Sequence, residues 1–399
     1  HGNRLSVFAD DQSYEMSFIS GAIRNSEYRP ISARSVLSTT DNKDFVIGGN
    51  KWVSLSNPQF DFASGAYAVV NSKLYLFGGD NGSIQSNVRE YDPSTRTWSS
   101  KTSMSGGARS NMAAVQLDGL IYVIGGKNSD GAALSRVEVY DPVADTWSNA
   151  RTLPSSLYDI SAVAINERIY VFGGNTGSGD EAFTYEYNPG SDTWANKADM
   201  DGGARSATTA AVYNDKAYVF GGNGPSNKVE EYDPSNNSWS NKTNLPTARS
   251  GASAVTLGDQ IYVAAGSGSS GELNTLKKYD PTDNTWSAAL DNLTNSVSNA
   301  AIAAIDGLIY FVGGTSNGSA QDQMQVYFEG AADDLWIYQD GAPNTRIDTG
   351  VIASAGMDYS PEKNKLAYIT QNNSDNLIRI YDGTSASTEE NLGNNSISK

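Results

Sequence analysis

The chain has 399 residues, no cysteine, one histidine and a formal net charge of −17 at pH 7. Without Cys there are no disulfides and no thiolate metal centres, and with His1 alone there is no His-based nucleophile–base pair. So acidic a surface repels phosphate, which argues against nucleic acid as a partner, and no stretch approaches the roughly 18 apolar residues needed to insert in a membrane.

In chain order, residues 1–50 carry short alternating runs at Leu5–Ala9, Met16–Ile19, Ser35–Thr40 and Phe45–Ile47. They predict an N-terminal β arm that either caps the rest of the chain or docks it onto something larger. From residue 51 onward the sequence repeats itself. An apolar run ending in paired glycine recurs as LYLFGG at Leu74–Gly79, IYVIGG at Ile121–Gly126, IYVFGG at Ile169–Gly174, AYVFGG at Ala217–Gly222 and IYFVGG at Ile309–Gly314, with IYVAAG at Ile261–Gly266 departing at Ala265. Each is followed by a polar loop, then by a segment ending in Tyr, such as VREYDP at Val88 or LKKYDP at Leu276. A tryptophan comes next: Trp98, Trp147, Trp194, Trp239, Trp286 and Trp336, spaced 45 to 50 residues apart.

Each unit predicts four strands. A small apolar strand comes first, SGASAVTL at Ser250 being one example. The second is too short and too β-branched for a helix. The third alternates with period two and ends at Asp-Pro, because Pro cannot continue a ladder. The fourth carries the Trp. A lone twisted four-stranded sheet cannot cover both of its faces, whereas sheets stacked radially cover one another.

Double glycine, a third-strand Tyr and a fourth-strand Trp resemble the Kelch repeat, over roughly Trp52 to Trp336. The resemblance implies an all-β, seven-bladed Kelch-type β-propeller occupying residues 51–399, with residues 1–50 as the β arm. Three candidate strands follow Trp336, at Ile352–Tyr359, Leu366–Thr370 and Leu377–Tyr381, and no Trp follows them. The expectation is therefore that the Trp52 strand closes the C-terminal blade and ties the chain ends together. The alternative is six blades with a separate C-terminal β appendage.

Kelch-type enzymes that resemble galactose oxidase need two His and a Tyr linked to Cys, which this chain cannot assemble. No residue pattern carries over the activity of the mutarotase-like propellers, and no cofactor or metal is implied. One constellation is position-specific: Ala-Arg-Ser precedes the first strand at Arg109, Arg205 and Arg249. In Kelch domains that capture acidic peptides, arginines at similar places bind carboxylates, as guanidinium forks are suited to do. These three then form a channel-rim ligand site. The alternative is that each bonds backbone carbonyls or an acidic side chain nearby. Phe62, Leu157 and Val297 hold the matching position in other units, and Arg34 repeats the motif within the arm.

The functional expectation is a non-catalytic protein-interaction or assembly module whose partner is another protein, met through residues 1–50 or the channel face. It extends to an exposed subunit of a larger particle, with virion, cell surface or another extracellular location favoured over cytoplasm. The alternative is a carbohydrate-binding or carbohydrate-active, mutarotase-like propeller.

Overall fold

The computed structural model describes residues 52–329 apart from Ser56 and Ala289, without the side chains of Val53 and Phe328, and the backbone of strands on either side of that span. The chain divides into two compact units, Trp52–Tyr327 and, separately, His1–Lys51 with Phe328–Lys399.

Trp52–Tyr327 is a ring of four-stranded antiparallel sheets, the blades. Blade 1 is built from Ala66–Val70, Lys73–Phe77, Val88–Asp92 and Thr97–Lys101. Blade 2 uses Ala113–Leu117, Leu120–Ile124, Val137–Asp141 and Thr146–Asn149. Blade 3 uses Ser161–Ile165, Arg168–Phe172, Thr184–Asn188 and Thr193–Asn196. Blade 4 uses Thr209–Tyr213, Lys216–Phe220, Val229–Asp233 and Ser238–Asn241. Blade 5 uses Ser253–Leu257, Gln260–Ala264, Leu276–Asp280 and Thr285–Trp286. Blade 6 takes Ala301–Ile305, Leu308–Val312 and Met324–Phe328 from one end of the ring and Lys51–Ser54 from the other.

The repeated residues are those that the blade interfaces require. The second strand is buried along nearly its whole length, since it is covered on both faces. Its Tyr meets the third-strand Tyr of the next blade at every interface: Tyr75–Tyr140, Tyr122–Tyr187, Tyr170–Tyr232, Tyr218–Tyr279, Tyr262–Tyr327 and Tyr310–Tyr91, with ring centroids 5.6–6.0 Å apart. Such tilted aromatic pairs add stabilisation beyond the area they bury. The third strand stops where its last residue turns back on the chain: Asp92 Oδ1 accepts from Ser94 N and Asp280 Oδ1 from Thr282 N, both at 2.9 Å. These are Asx turns, which compete with the ladder for the backbone.

A clamp then joins each of blades 2–5 to the chain leaving the blade before it. In blade 2, Trp147 Nε1 donates to Thr102 O at 2.9 Å, while Thr102 N donates to Asp145 Oδ1 at 2.9 Å, which also accepts from the Tyr140 hydroxyl. Arg151 is held by Trp194 and Asp192, Ala198 by Trp239 and Asn237, and Thr243 by Trp286 and Asn284 in the same way.

The expected Kelch-type propeller closed by an N-terminal strand is present, with a corrected blade count. Trp52 completes a sixth blade, beside Met324–Phe328, and no seventh blade is shared with Leu377–Tyr381. Its ring lies 5.2 Å from Tyr327, matching the 4.9–5.0 Å of the Tyr–Trp pairs in the other blades. Two features account for the difference. The sixth unit lacks the Asp-Pro that ends the third strand in other units, and the Trp336 strand pairs instead with Lys43–Ile47. The C-terminal strands also find their own fourth member, Ala386–Asn391.

In the second unit, taken by itself, the described strands form three sheets. Arg4–Ala9 pairs with Gln12–Ser17. Ser35–Ser38 and Lys43–Ile47 join Leu335–Gln339 and Thr345–Asp348, with Trp336 opposite Val46. Met357–Ser360, Lys365–Asn372, Asp375–Tyr381 and Ala386–Asn391 form the third. Arg34 lies outside the described residues.

Candidate functional site

The first strands surround the axis of the ring, and the residue just ahead of each is the key to the channel mouth. These residues are Ser64, Asn111, Asp159, Ala207, Gly251 and Asn299, and all six have left-handed backbone, with φ between 51° and 56°. That conformation turns each N–H toward the preceding blade. Ser64 donates to Asn299 O at 3.0 Å, Asn111 to Ser64 O, Asp159 to Asn111 O, Ala207 to Asp159 O, Gly251 to Ala207 O and Asn299 to Gly251 O at 2.7 Å. The result is a closed belt of six backbone hydrogen bonds, one from every blade.

Inside the belt lies a cavity of about 180 Å³. Its walls are the starts of the first strands, and most of their side chains are small: Ala114, Ala162, Ala210 and Ala254 occupy the same level in four blades. In blade 1 that level holds Tyr67. Burial pushes its phenol up to about 12, against hydrogen bonds with the Ser253 side chain and the Ile302 backbone. Those bonds reach from blade 1 to blades 5 and 6, and the Tyr67 ring lines the cavity beside the alanines.

Among the described residues, Asp159 is the one charged group lining this cavity. Desolvation raises its carboxyl above the ordinary value, opposed by the Asn111 side chain and the charge of Lys127, and reinforced by Asp180. Asn111 Nδ2 donates to Oδ1 of Asp159. Lys127 lies over the ring of Tyr158, 5.5 Å from its centroid. Among the described residues no group of three His, Cys, Asp or Glu side chains is placed to hold a metal ion.

The three arginines expected at the rim lie elsewhere. Arg109 and Arg249 have no exposed surface and Arg205 has 4%. Arg109 Nη1 donates to Gly125 O at 3.0 Å and its Nη2 pairs with Glu138; Arg205 does the same with Gly221 O and Glu230. Arg249 donates to Thr247 O, Ala265 O and Thr275 Oγ1. No carboxylate among the described residues joins it, because Lys277 stands where Glu138 and Glu230 stand in their strands. Burial pulls the guanidiniums of Arg109 and Arg249 down to about 10.

The reason is positional. The carbonyl of each of these residues accepts from the second glycine of the preceding blade, as Gly79 N does with Arg109 O at 2.9 Å. The apolar Phe62, Leu157 and Val297 make the same bond, from Gly314, Gly126 and Gly266, and are buried in the same way. The position is one of packing between blades, and its side chain points into the protein rather than into the channel. The residues that do reach the cavity come two places later. Their signal was a recurrent Asn, Asp, Ser or Gly, types that accept left-handed backbone at low cost.

Comparison with known proteins agrees with this architecture. The family model described as the KLHDC2/KLHL20/DRC7 Kelch-repeats domain matches residues 64–242 and 199–339. The Kelch repeat protein M-T8 of Myxoma virus (strain Lausanne) is 29% identical over 206 residues, 50% of this chain and 39% of that protein. Human Kelch-like protein 15 is 28% identical over 248 residues, 54% of this chain and 40% of its own. The chain thus spans about 40% of the length of these curated relatives. Among solved structures, that of YjhT superposes with a TM-score of 0.60 at 18% identity, covering 74% of this chain and 99% of that one, a likeness of fold. With its model match extending over most of the blades, the chain belongs to the Kelch-repeat family.

Proposed function

We propose that the chain is a non-catalytic protein-interaction module whose ring is a rigid scaffold and whose channel-mouth face meets the partner. The observation carrying this reading is the internal pairing of the loops on that face. In five of the six blades the loop between second and third strands is short and bridges to itself: Asp80 to Ile84, Lys127 to Ala133, Asn175 to Asp180, Ser267–Gly268 to Gly271–Glu272 and Thr315–Ser316 to Ser319–Ala320, while in blade 4 Ser226 bridges to Arg249. Loops ordered in advance lose little entropy on binding, which leaves more of the contact energy for affinity. The Kelch-like relatives support an interaction role of the same general kind.

The finer reading is an exposed subunit of a larger assembly at a virion or cell surface, with residues 1–50 as the docking segment. Its support is the arm's departure from the repeat and the acidic, cysteine-free composition. The carbohydrate-binding alternative calls for open indole faces. Trp52, Trp98, Trp147, Trp194, Trp239 and Trp286 each lie 4.9–5.2 Å from a tyrosine ring, which weakens it.

Cross-linking in the native setting, read by mass spectrometry, tests the proposal. The expected cross-links to a partner concentrate on Lys127 and Lys228, in the mouth-face loops. Links confined to the outer strands would remove the mouth face from the proposal, and no partner above background would remove the interaction role.

A further inference from the structure

Resting on the mouth face as the contact surface, we propose that the belt cavity receives one lysine side chain of the partner protein, with Asp159 as counter-ion to its ammonium group. The polar residues of the belt are not spread evenly. Asn299, Ser64, Asn111 and Asp159 follow one another around blades 6, 1, 2 and 3, while Ala207 and Gly251 in blades 4 and 5 carry no polar side-chain atom. The belt therefore has a hydrogen-bonding arc on one side, while on the other the wall's hydroxyls at Thr208 and Ser253 are engaged with Ser161 and Ala300 O. A ligand with one charged head satisfies such an arc better than a symmetric one.

The arc selects a cation. Asp159 Oδ1 is engaged by Asn111, and among the described residues no donor reaches Oδ2. Asp159 is partly buried, and its second oxygen, open to the cavity, takes a charge-assisted donor more strongly than a neutral one. The rest of the arc is neutral, so the carboxylate has no competing cation within the cavity wall. The net charge of −17 raises the local concentration of cations before contact.

The walls select an aliphatic stem. The methyls of Ala114, Ala162, Ala210 and Ala254, with the Tyr67 ring beside them, offer an apolar surface to the methylenes behind the charged head. The cavity, about 180 Å³, is smaller than the ~300 Å³ at which pockets for drug-sized molecules begin, and suits one side chain.

Titration of the full chain with Nα-acetyl-lysine N-methylamide, followed by methyl NMR of the cavity alanines, tests this. A saturable shift is expected, absent with the Nε-acetylated form of the same probe. Asp159→Asn should weaken binding roughly tenfold or more. Ala210→Leu, which fills the wall and leaves the carboxylate in place, should abolish it. Thermal melts of both variants confirm that the ring is intact. No saturable shift with the wild type, equal shifts with the acetylated probe, or binding unchanged in both variants would overturn the proposal. A partner still cross-linked at the mouth face while the lysine probe fails would overturn the lysine assignment and leave the interaction module standing.

Discussion

Ala265 stands where five blades have the first of two glycines. Its φ is 59°, and it is buried. At Gly78, Gly125, Gly173, Gly221 and Gly313, a Cβ would press on a backbone carbonyl of the next blade. Left-handed backbone costs a residue with Cβ about 1–2 kcal/mol, and glycine returns part of that as extra freedom in the unfolded chain. Ala265→Gly is expected to raise stability by about 0.5–1 kcal/mol, or Tm by roughly 1–3 °C. Calorimetry checks it, and a fall in Tm would show that the methyl's packing outweighs the strain. The buried ion pairs make a second prediction at this scale. Glu138→Gln strands the Arg109 guanidinium and should cost roughly 3–5 kcal/mol. Arg109→Leu combined with Glu138→Met should come close to neutral, because Leu157 already fills the matching position in blade 3. Denaturant unfolding of the two variants separates them.

Between residues and ring, the elements are tied by carboxylates that tyrosine and lysine hold in place. Glu90 accepts from the Tyr75 hydroxyl at 2.6 Å and pairs with Lys73 and Lys101. Glu186 has Tyr170 and Lys197, and Glu231 has Tyr218, Lys216 and Lys242. Desolvation raises each carboxyl, but the combined hydrogen bonds and cations outweigh it, so all three sit below the ordinary glutamate value. Groups depressed on folding stabilise fully above the unfolded value of about 4.3, and that stabilisation fades as pH falls through the folded values. Tm should therefore decline as pH drops below about 4.3. Replacing all three by Gln should lower Tm at pH 7 and flatten the acid limb. Asp159, raised on folding, works in the opposite sense. Much of this layer was legible in the sequence. The double glycine, Tyr and Trp each answer a need of the blade interface, so they recur with it. The strand Ala386–Asn391 was missed because ASTEEN has no apolar alternation to mark it. The belt residues were missed because a short polar residue before a strand looks like ordinary loop, and only the register of six blades brings them together.

Across the whole ring, blade 6 differs from the other blades, because its fourth strand, Lys51–Ser54, comes from the other end of the ring. Trp52 and Trp336 both answer to the blade pattern, and pairing with Met324–Phe328 decides between them. The clamp of blade 6 lacks the indole bond, since the N–H of Trp52 is buried without an acceptor among the described residues. The blade 6 edge is also the place where the ring is shut by strand pairing rather than by chain continuity. Hydrogen exchange should show the amides of Met324–Tyr327 opening at lower free energy than those of Thr184–Tyr187 in blade 3. Trp52→Ala should cost about 3–5 kcal/mol and bring out that local opening. Equal protection in the two strands would mean that the seam is as tight as the continuous joints.

The hydrogen-bonded belt around the axis has a consequence for how this mouth can change. A helix leaves four donors and four acceptors idle at its ends, whereas a circle has no ends, so every belt N–H and one lone pair of every belt carbonyl are already spoken for. Recognition at the belt is left to the five side chains it carries, Gly251 having none. Their backbone sign confines those positions to a short alphabet, in which glycine, asparagine and aspartate are inexpensive and serine or alanine is strained. A propeller built this way can rewrite its specificity letter by letter without disturbing its frame, but only with short words.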